Sequence, residues 1–410
     1  MVQNMRFCTH HYTICKGIPS TVPACCGPIV YKMMKKICFF LALLCLLPLL
    51  AAEAETALPV LRLDAAQLDY VSVKPGTLTV GDFSTPVTVK YRGTYSITFT
   101  GKRNYTLHLK SPEGAQRKVS LLGLRADDDY VLLGGLSDPS RMRCAAGLAL
   151  WRALGHAAPR AAACELYFGD YYKGVYFLAE RPDRKSADVP AAGALYRVLA
   201  ETADGVDLFS SDAPGAPGKD TWYNVSKVYP AEETGWQPLE ALIAGREDLL
   251  DLSAFADYYL YVNLIGASDN MTKNLFLGWN GTVFFPMPWD LDAAFGRLYT
   301  AALSDPDAWY SGPLFDTLLG REDFQALLCR RWTALREALS PDAVMDIFAD
   351  LYARIDAAGA WEREAARFAA YTDSVTGQTH TLDPQGEMRL IRDFIAGRFA
   401  LLEALYGGKP

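Results

Sequence analysis

Strand-like and helix-like patterns divide this chain between its two halves. Residues 78–89, 91–100 and 105–109 carry β-branched and aromatic side chains in partly alternating order, broken by Gly and Pro, and predict strands. The run RMRCAAGLALWRAL, residues 141–154, has helical spacing and a glycine stop at Gly155, so it predicts a helix packed on that sheet. Residues 162–167 and 175–179 predict two more strands joined through Gly169-Asp170, and Arg181-Pro182-Asp183 breaks the pattern. From there to about Glu232 the chain is rich in Gly, Ala, Asp and Pro, which predicts a long surface excursion. Helical patterns then cover 236–243, 253–266, 324–338, 341–358 and 387–406, with Asp251 and Ser253 as caps of the second. The fold class is α+β, two-lobed, with a sheet-rich N-lobe at 55–183 and a mainly helical C-lobe at 184–410.

The amino terminus has a separate character. Lys35-Lys36 precedes a nearly unbroken apolar run at 37–50, and Ala52-Glu53-Ala54 is a small-x-small cleavage pattern, so residues 33–54 read as a signal peptide. The run is short for a membrane span and contains Pro48, so no stable span is expected after cleavage. Residues 1–32 read as a non-native upstream extension, with translation starting at Met33 or Met34. An exported protein is the expectation: secreted, at the cell surface or in a spore coat.

A chain of 410 residues, half of them hydrophobic, can bury a large core. Its net charge of -7 becomes more negative without the leader, which holds five basic residues and one acid. That balance excludes broad nucleic-acid or anionic-membrane binding. Six of nine cysteines fall before the cleavage point. Cys144, Cys164 and Cys329 remain, too few and too scattered for a zinc site, and are expected as buried free thiols. Asn104, Asn224, Asn270 and Asn280 each begin an Asn-x-Ser/Thr triplet, a pattern that chance often produces.

The candidate chemistry lies in SDNMTKNLFLGWNGTVFFPMPWDLDAAFG, which starts at Ser268. Phosphoryl transfer needs a carboxylate near the attacking hydroxyl and oxygen ligands for magnesium more than it needs covalent catalysis. In protein kinases an Asp and an Asn separated by four intervening residues supply both from one loop, and Asp269 and Asn274 have that spacing. Residues 275–279 and 282–287 flank Asn280-Gly281, a turn dipeptide, so a hairpin returns Asp290 and Asp292 to the loop. No Gly-rich phosphate loop precedes Lys102, and no His-Arg pair leads into Asp269. How the phosphates are covered is left open.

From Asn263 the run NLIGASDNMTKNLFLGWNGTVFFPMPWDLDAAFG resembles the CotH kinase family, atypical protein kinases whose Asp-containing loop ends in Lys-Asn before a Trp-Asp-x-Asp element. Three further blocks match in order: Arg92-Gly93 with Lys102 in YRGTYSITFTGKRNY, DPSRMR from Asp138 to Arg143, and GDYYKGVYFLAE from Gly169 to Glu180. The resemblance implies an atypical-kinase fold and transfer of the ATP γ-phosphate, with Mg2+ or Mn2+, to a protein hydroxyl, serine first. It implies Asp269 as the catalytic acid-base group, and Asn274, Asp290 and Asp292 as metal ligands. Lys102, Arg143 and Glu180 are then implied at the nucleotide, with Arg143 and Glu180 also readable as structural. Coat or surface proteins are the implied substrates. A non-catalytic binding module of the same fold is the alternative, and nucleotidyl transfer a third reading.

Overall fold

Alternation at the start of the described chain produces a barrel. In this computed structural model the described residues are 57–93, 102–199, 218–219, 221–222, 224–232, 235–374 and 376–408. The expected upstream extension and signal peptide lie outside them, as does most of the expected strand 91–100. Strands β1 (Val60–Ala65), β2 (Lys74–Val80), β3 (Phe83–Arg92), β4 (Asn104–Leu109), β5 (Asp129–Leu133), β6 (Ala161–Phe168) and β7 (Tyr171–Glu180) close in the order β1-β2-β3-β4-β5-β7-β6. All neighbours are antiparallel except β1 and β6, whose parallel pairing seals the barrel. β4 alternates half-buried and buried residues, and its Tyr105, Leu107 and Leu109 join Leu63, Val89, Leu132, Leu166 and Leu178 inside. The expected strand 78–89 is in fact parts of two, because Gly81, at φ 55°, turns the chain between β2 and β3.

A second sheet corrects the expected surface excursion. β8 (Ala194–Val198), β9 (Thr221–Trp222) and β10 (Val225–Tyr229) pair with β11 (Leu275–Trp279) and β12 (Phe284–Pro288) in the order β12-β11-β8-β10-β9. ALYRV and VSKVY carry the alternation; the Gly/Ala/Pro-rich stretch between them masks it.

The helices are α1 (Arg143–Ala153), α2 (Gln237–Ile243), α3 (Leu252–Ile265), α4 (Pro313–Leu319), α5 (Glu322–Leu335), α6 (Pro341–Ala357), α7 (Ala360–Phe368) and α8 (Pro384–Tyr406), with a 3-10 turn at Glu247–Leu249 and a short antiparallel pair, β13 (Ala370–Thr372) and β14 (Thr379–Thr381), between α7 and α8. α4 and α7 were not legible in the sequence. Asp251 caps α3 as expected, accepting from the backbone N–H groups of Ser253 and Ala254. α3 is apolar on every side and buried from Ala254 onward, as a central helix must be. Its buried Asp257 is ion-paired with Arg331, at 2.8 Å from Nη2, and hydrogen-bonded to His156 Nε2 at 2.8 Å. The mixed α and β content holds, while the closed barrel was not anticipated. Cys164 and Cys329 are buried, Cys144 is partly buried, and all three are free thiols. No described helix is long and apolar enough to cross a membrane.

Candidate active site: an acidic cluster closed by a hairpin

The site begins where α3 stops. Gly266, at φ 65°, takes the left-handed cap conformation that favours glycine and turns the chain into the loop bearing Asp269 and Asn274. Asn274 itself sits at φ 54°. β11 and β12 then run out and back, and the Trp289 N–H donates to the Asn274 carbonyl at 2.9 Å. That bond places Asp290 beside the loop, as the turn dipeptide predicted.

Asn270 fixes this closure from inside. It is fully buried, and its Nδ2 donates to the carbonyls of Asn274 at 3.2 Å and Trp289 at 2.9 Å, so one amide ties both ends of the hairpin. Tyr258 of α3 donates to the Asn270 carbonyl at 2.6 Å, which anchors the loop to the central helix. The Asn-x-Thr triplet at 270 therefore belongs to an internal brace, not to a glycan. Replacing Asn270 with alanine strands two carbonyls, and we expect a loss of about 1–3 kcal/mol of stability in urea denaturation together with lower turnover. A variant matching wild type in both would show that the brace is dispensable.

The Trp289–Gly296 segment is clamped on its far side. Arg143, fully buried at the start of α1, donates through Nε to the Ala294 carbonyl at 2.9 Å and through Nη2 to the Phe295 carbonyl at 3.3 Å. The same guanidinium bonds Asp138 and Glu387, and Glu387 also holds Arg297. α1 lies so close here that a Cβ at Gly147 would meet Leu291 at 2.7 Å. Phe295, buried, donates its N–H to the Ile265 carbonyl and packs edge-on against Phe348 with ring centroids 5.0 Å apart.

These supports bring Asp269, Asp290 and Asp292 into mutual electrostatic contact. Burial pushes the Asp290 carboxyl upward; Arg92 and Arg197 pull it back, and Asp269 pushes it further. Asp292 is held well above the carboxylate range by burial, then by Asp290, Asp138 and Asp269. All three aspartates and Asn274 remain partly open to solvent. Lys273 meets Asp269 at 2.9 Å.

The cluster is thus rich in hard oxygen donors. Two carboxylates and an amide oxygen suit magnesium, which keeps several waters or phosphate oxygens and takes few protein ligands. Among the described residues no group of three or more His, Cys, Asp or Glu side chains is arranged to hold a metal ion.

The other three expected site residues are committed elsewhere. Lys102 is buried and ion-paired with Glu364 of α7, whose carboxylate also accepts from Arg141 Nε at 2.8 Å and the Val175 N–H at 2.8 Å. Burial, opposed by Glu364, pushes the Lys102 pKa down to about 7. Gly174 permits this approach: it sits at φ 110°, and a Cβ there would lie 2.4 Å from Glu364 Oε2. Arg143 is consumed by the clamp described above. Glu180 accepts from the backbone N–H groups of Arg125 and Arg160, each at 3.0 Å, in the wall of a cavity of about 450 Å³ that includes none of the acidic-cluster residues. Neither Glu364 nor Glu387 was legible as a partner, since Glu364 lies 262 residues from Lys102 and Glu387 lies 244 residues from Arg143.

Comparison with known proteins supports this assembly of motifs. No curated protein matches the chain. Among solved structures it is similar to the Helicobacter pylori proinflammatory kinase CtkA, with 10% identity, coverage of 82% of this chain and 89% of that one, and a TM-score of 0.25. It is also similar to the Shewanella oneidensis MR-1 toxin–antitoxin system HipA, HipB with its operator DNA, with 14% identity, 77% and 66% coverage, and a TM-score of 0.32. Scores this low carry no structural argument. The family described as CotH kinase protein matches residues 89–402, which take in every motif of the acidic cluster and the clamp around it, and the chain belongs to that family.

Proposed function

We propose that this protein is an exported atypical protein kinase that moves the γ-phosphoryl group of ATP to a protein hydroxyl, serine first. The observation that carries the reading is the closure of Trp289 on Asn274, which sets Asp290 and Asp292 against Asp269. Family membership supports kinase chemistry in general. The acceptor, the metal and the export route are our own reading.

In this scheme Asp269, partly exposed and held by Lys273, orients the acceptor hydroxyl and takes its proton. The hydroxyl oxygen bonds to the γ-phosphorus as the bond to the β–γ bridging oxygen breaks, and ADP leaves with that electron pair. Asn274, Asp290 and Asp292 would hold the divalent cation, which when bound neutralises charge on the phosphate oxygens. Lys102, Arg143 and Glu180 act as positioning residues through their internal partners. Residues 55–183, which include the barrel and α1, serve as the N-lobe and residues 184–410 as the C-lobe, and coat or surface proteins are the proposed acceptors.

Nucleotide with magnesium should raise the melting temperature, since ligand at about 100 times its Kd contributes about 2.7 kcal/mol. Asp290→Ala should lose the shift, and nucleotide without metal should not produce it. A wild-type protein unmoved by millimolar nucleotide and magnesium would instead favour a binding module that keeps the fold without the chemistry.

A further inference from the structure

The sequence before Lys102 carries no Gly-rich phosphate loop, and among the described residues the second sheet supplies a cation beside the acidic cluster. Arg197 lies on β8, the strand that joins β11 to the rest of that sheet. Its neighbour Tyr196 turns inward against Trp236 and Phe284, so Arg197 faces the other side of the sheet. There it stands in register opposite Phe276, which pairs in turn with Met287. One step of the same alternation along those two strands leads to Asn274 and Trp289, the pair that closes the site. Arg92, at the end of β3, lies over the Trp289 ring at 5.4 Å from its centroid. Arg197 acts electrostatically on both Asp290 and Arg92.

The Arg197 Nε is buried and finds no acceptor. No ion pair among the described residues claims its guanidinium, in contrast to Arg141, Arg143, Arg297 and Arg331. A stranded buried donor is costly unless a ligand completes it. A planar fork of donors next to a metal-suited acid cluster matches a phosphate oxygen better than any other common acceptor. A carboxylate ligand would meet repulsion from Asp290 without a cation to bridge it, whereas the phosphates of a metal nucleotide bring that cation with them.

We propose that Arg197 binds the terminal phosphates of a nucleoside triphosphate held at the Asp290 cluster, taking a part that a Gly-rich loop plays in other kinases. The inference rests on the kinase reading. It adds a residue from a strand that no motif marked.

The test is equilibrium binding of MgATP and of adenosine to the wild-type chain, Arg197→Met, Arg197→Lys and Asp290→Ala, with melting temperature as the check on folding. Arg197→Met should weaken MgATP by about 10- to 100-fold, the size expected for a lost charge-assisted hydrogen bond. Adenosine binding should stay within about twofold of wild type, because the base and sugar do not reach the guanidinium. Arg197→Lys should recover only part of the loss, since a point charge lacks the fork. MgATP binding by folded Arg197→Met or Arg197→Lys that matches wild type, while Asp290→Ala abolishes it, overturns this assignment and leaves the kinase reading intact. Equal losses for MgATP and adenosine also overturn it, in favour of a purely structural role. Absence of MgATP binding by wild type removes both.

Discussion

Changing Asp269 to asparagine should cut turnover by about 10²- to 10⁴-fold, the range a positioned general base contributes, while MgATP binding stays near wild type. The reason lies in how this carboxylate differs from its neighbours. Asp269 is partly exposed, with 22% of its side chain open, and is held by Lys273 rather than by buried backbone donors. In the proposed scheme it takes the proton of an incoming hydroxyl. Asparagine keeps the shape and the possible contact with a hydroxyl but removes the basic oxygen. Asp290 and Asp292, by contrast, sit where burial raises their carboxyls, and a cation held there, as proposed, would offset that cost. Asp269→Asn should therefore separate catalysis from nucleotide binding, whereas Asp290→Ala should remove both. Turnover of Asp269→Asn within threefold of wild type, in a steady-state assay, would show that the proton goes elsewhere.

Replacing Arg143 with methionine should destabilise the fold by about 3–5 kcal/mol, because it leaves buried Asp138 without its countercharge and takes from Glu387 one of its two cations. Arg143 is fully buried and bonds Asp138 and Glu387 together with the carbonyls of Ala294 and Phe295. Methionine fills much of the volume and satisfies none of these four acceptors. Lysine restores charge but not the fork, so Arg143→Lys should recover less than half of the loss. Because the same guanidinium clamps the segment that carries Asp290 and Asp292, the surviving folded fraction should also turn over more slowly. Urea denaturation reads the first effect, and an unchanged midpoint for Arg143→Met would contradict it.

What the sequence disclosed followed from how local each signal is. The cap at Asp251, the helix behind it, the Asn280-Gly281 turn and the spacing of Asp269, Asn274 and Asp290 are all set within a few residues, and each could be read in advance. β8 and β10 could not, because residues between them carry a loop-like composition and each strand pairs with a distant partner. Arg197 was hidden for that reason. Asn270 was visible only as half of a glycosylation triplet, since its value depends on two carbonyls that come together after folding. Lys102 and Arg143 were legible as charged residues in blocks that match the family's pattern, yet their partners Glu364 and Glu387 lie in helices near the carboxy terminus. Composition and period specify elements; they do not specify which buried charges meet.

The clamp and the brace together give the acidic cluster a fixed shape before any ligand arrives. Asn270 holds the two ends of the hairpin, Arg143 holds the segment beyond Asp292, and Gly147 lets α1 press against Leu291. Such preorganisation is what phosphoryl transfer demands, since positioning and charge stabilisation supply most of its acceleration. The most direct measurement is incorporation of label from γ-labelled ATP into a generic protein acceptor, with magnesium, by wild type and Asp290→Ala side by side. Metal-dependent phosphate transfer by wild type and none by Asp290→Ala is the predicted result; equal incorporation by the two would contradict the account.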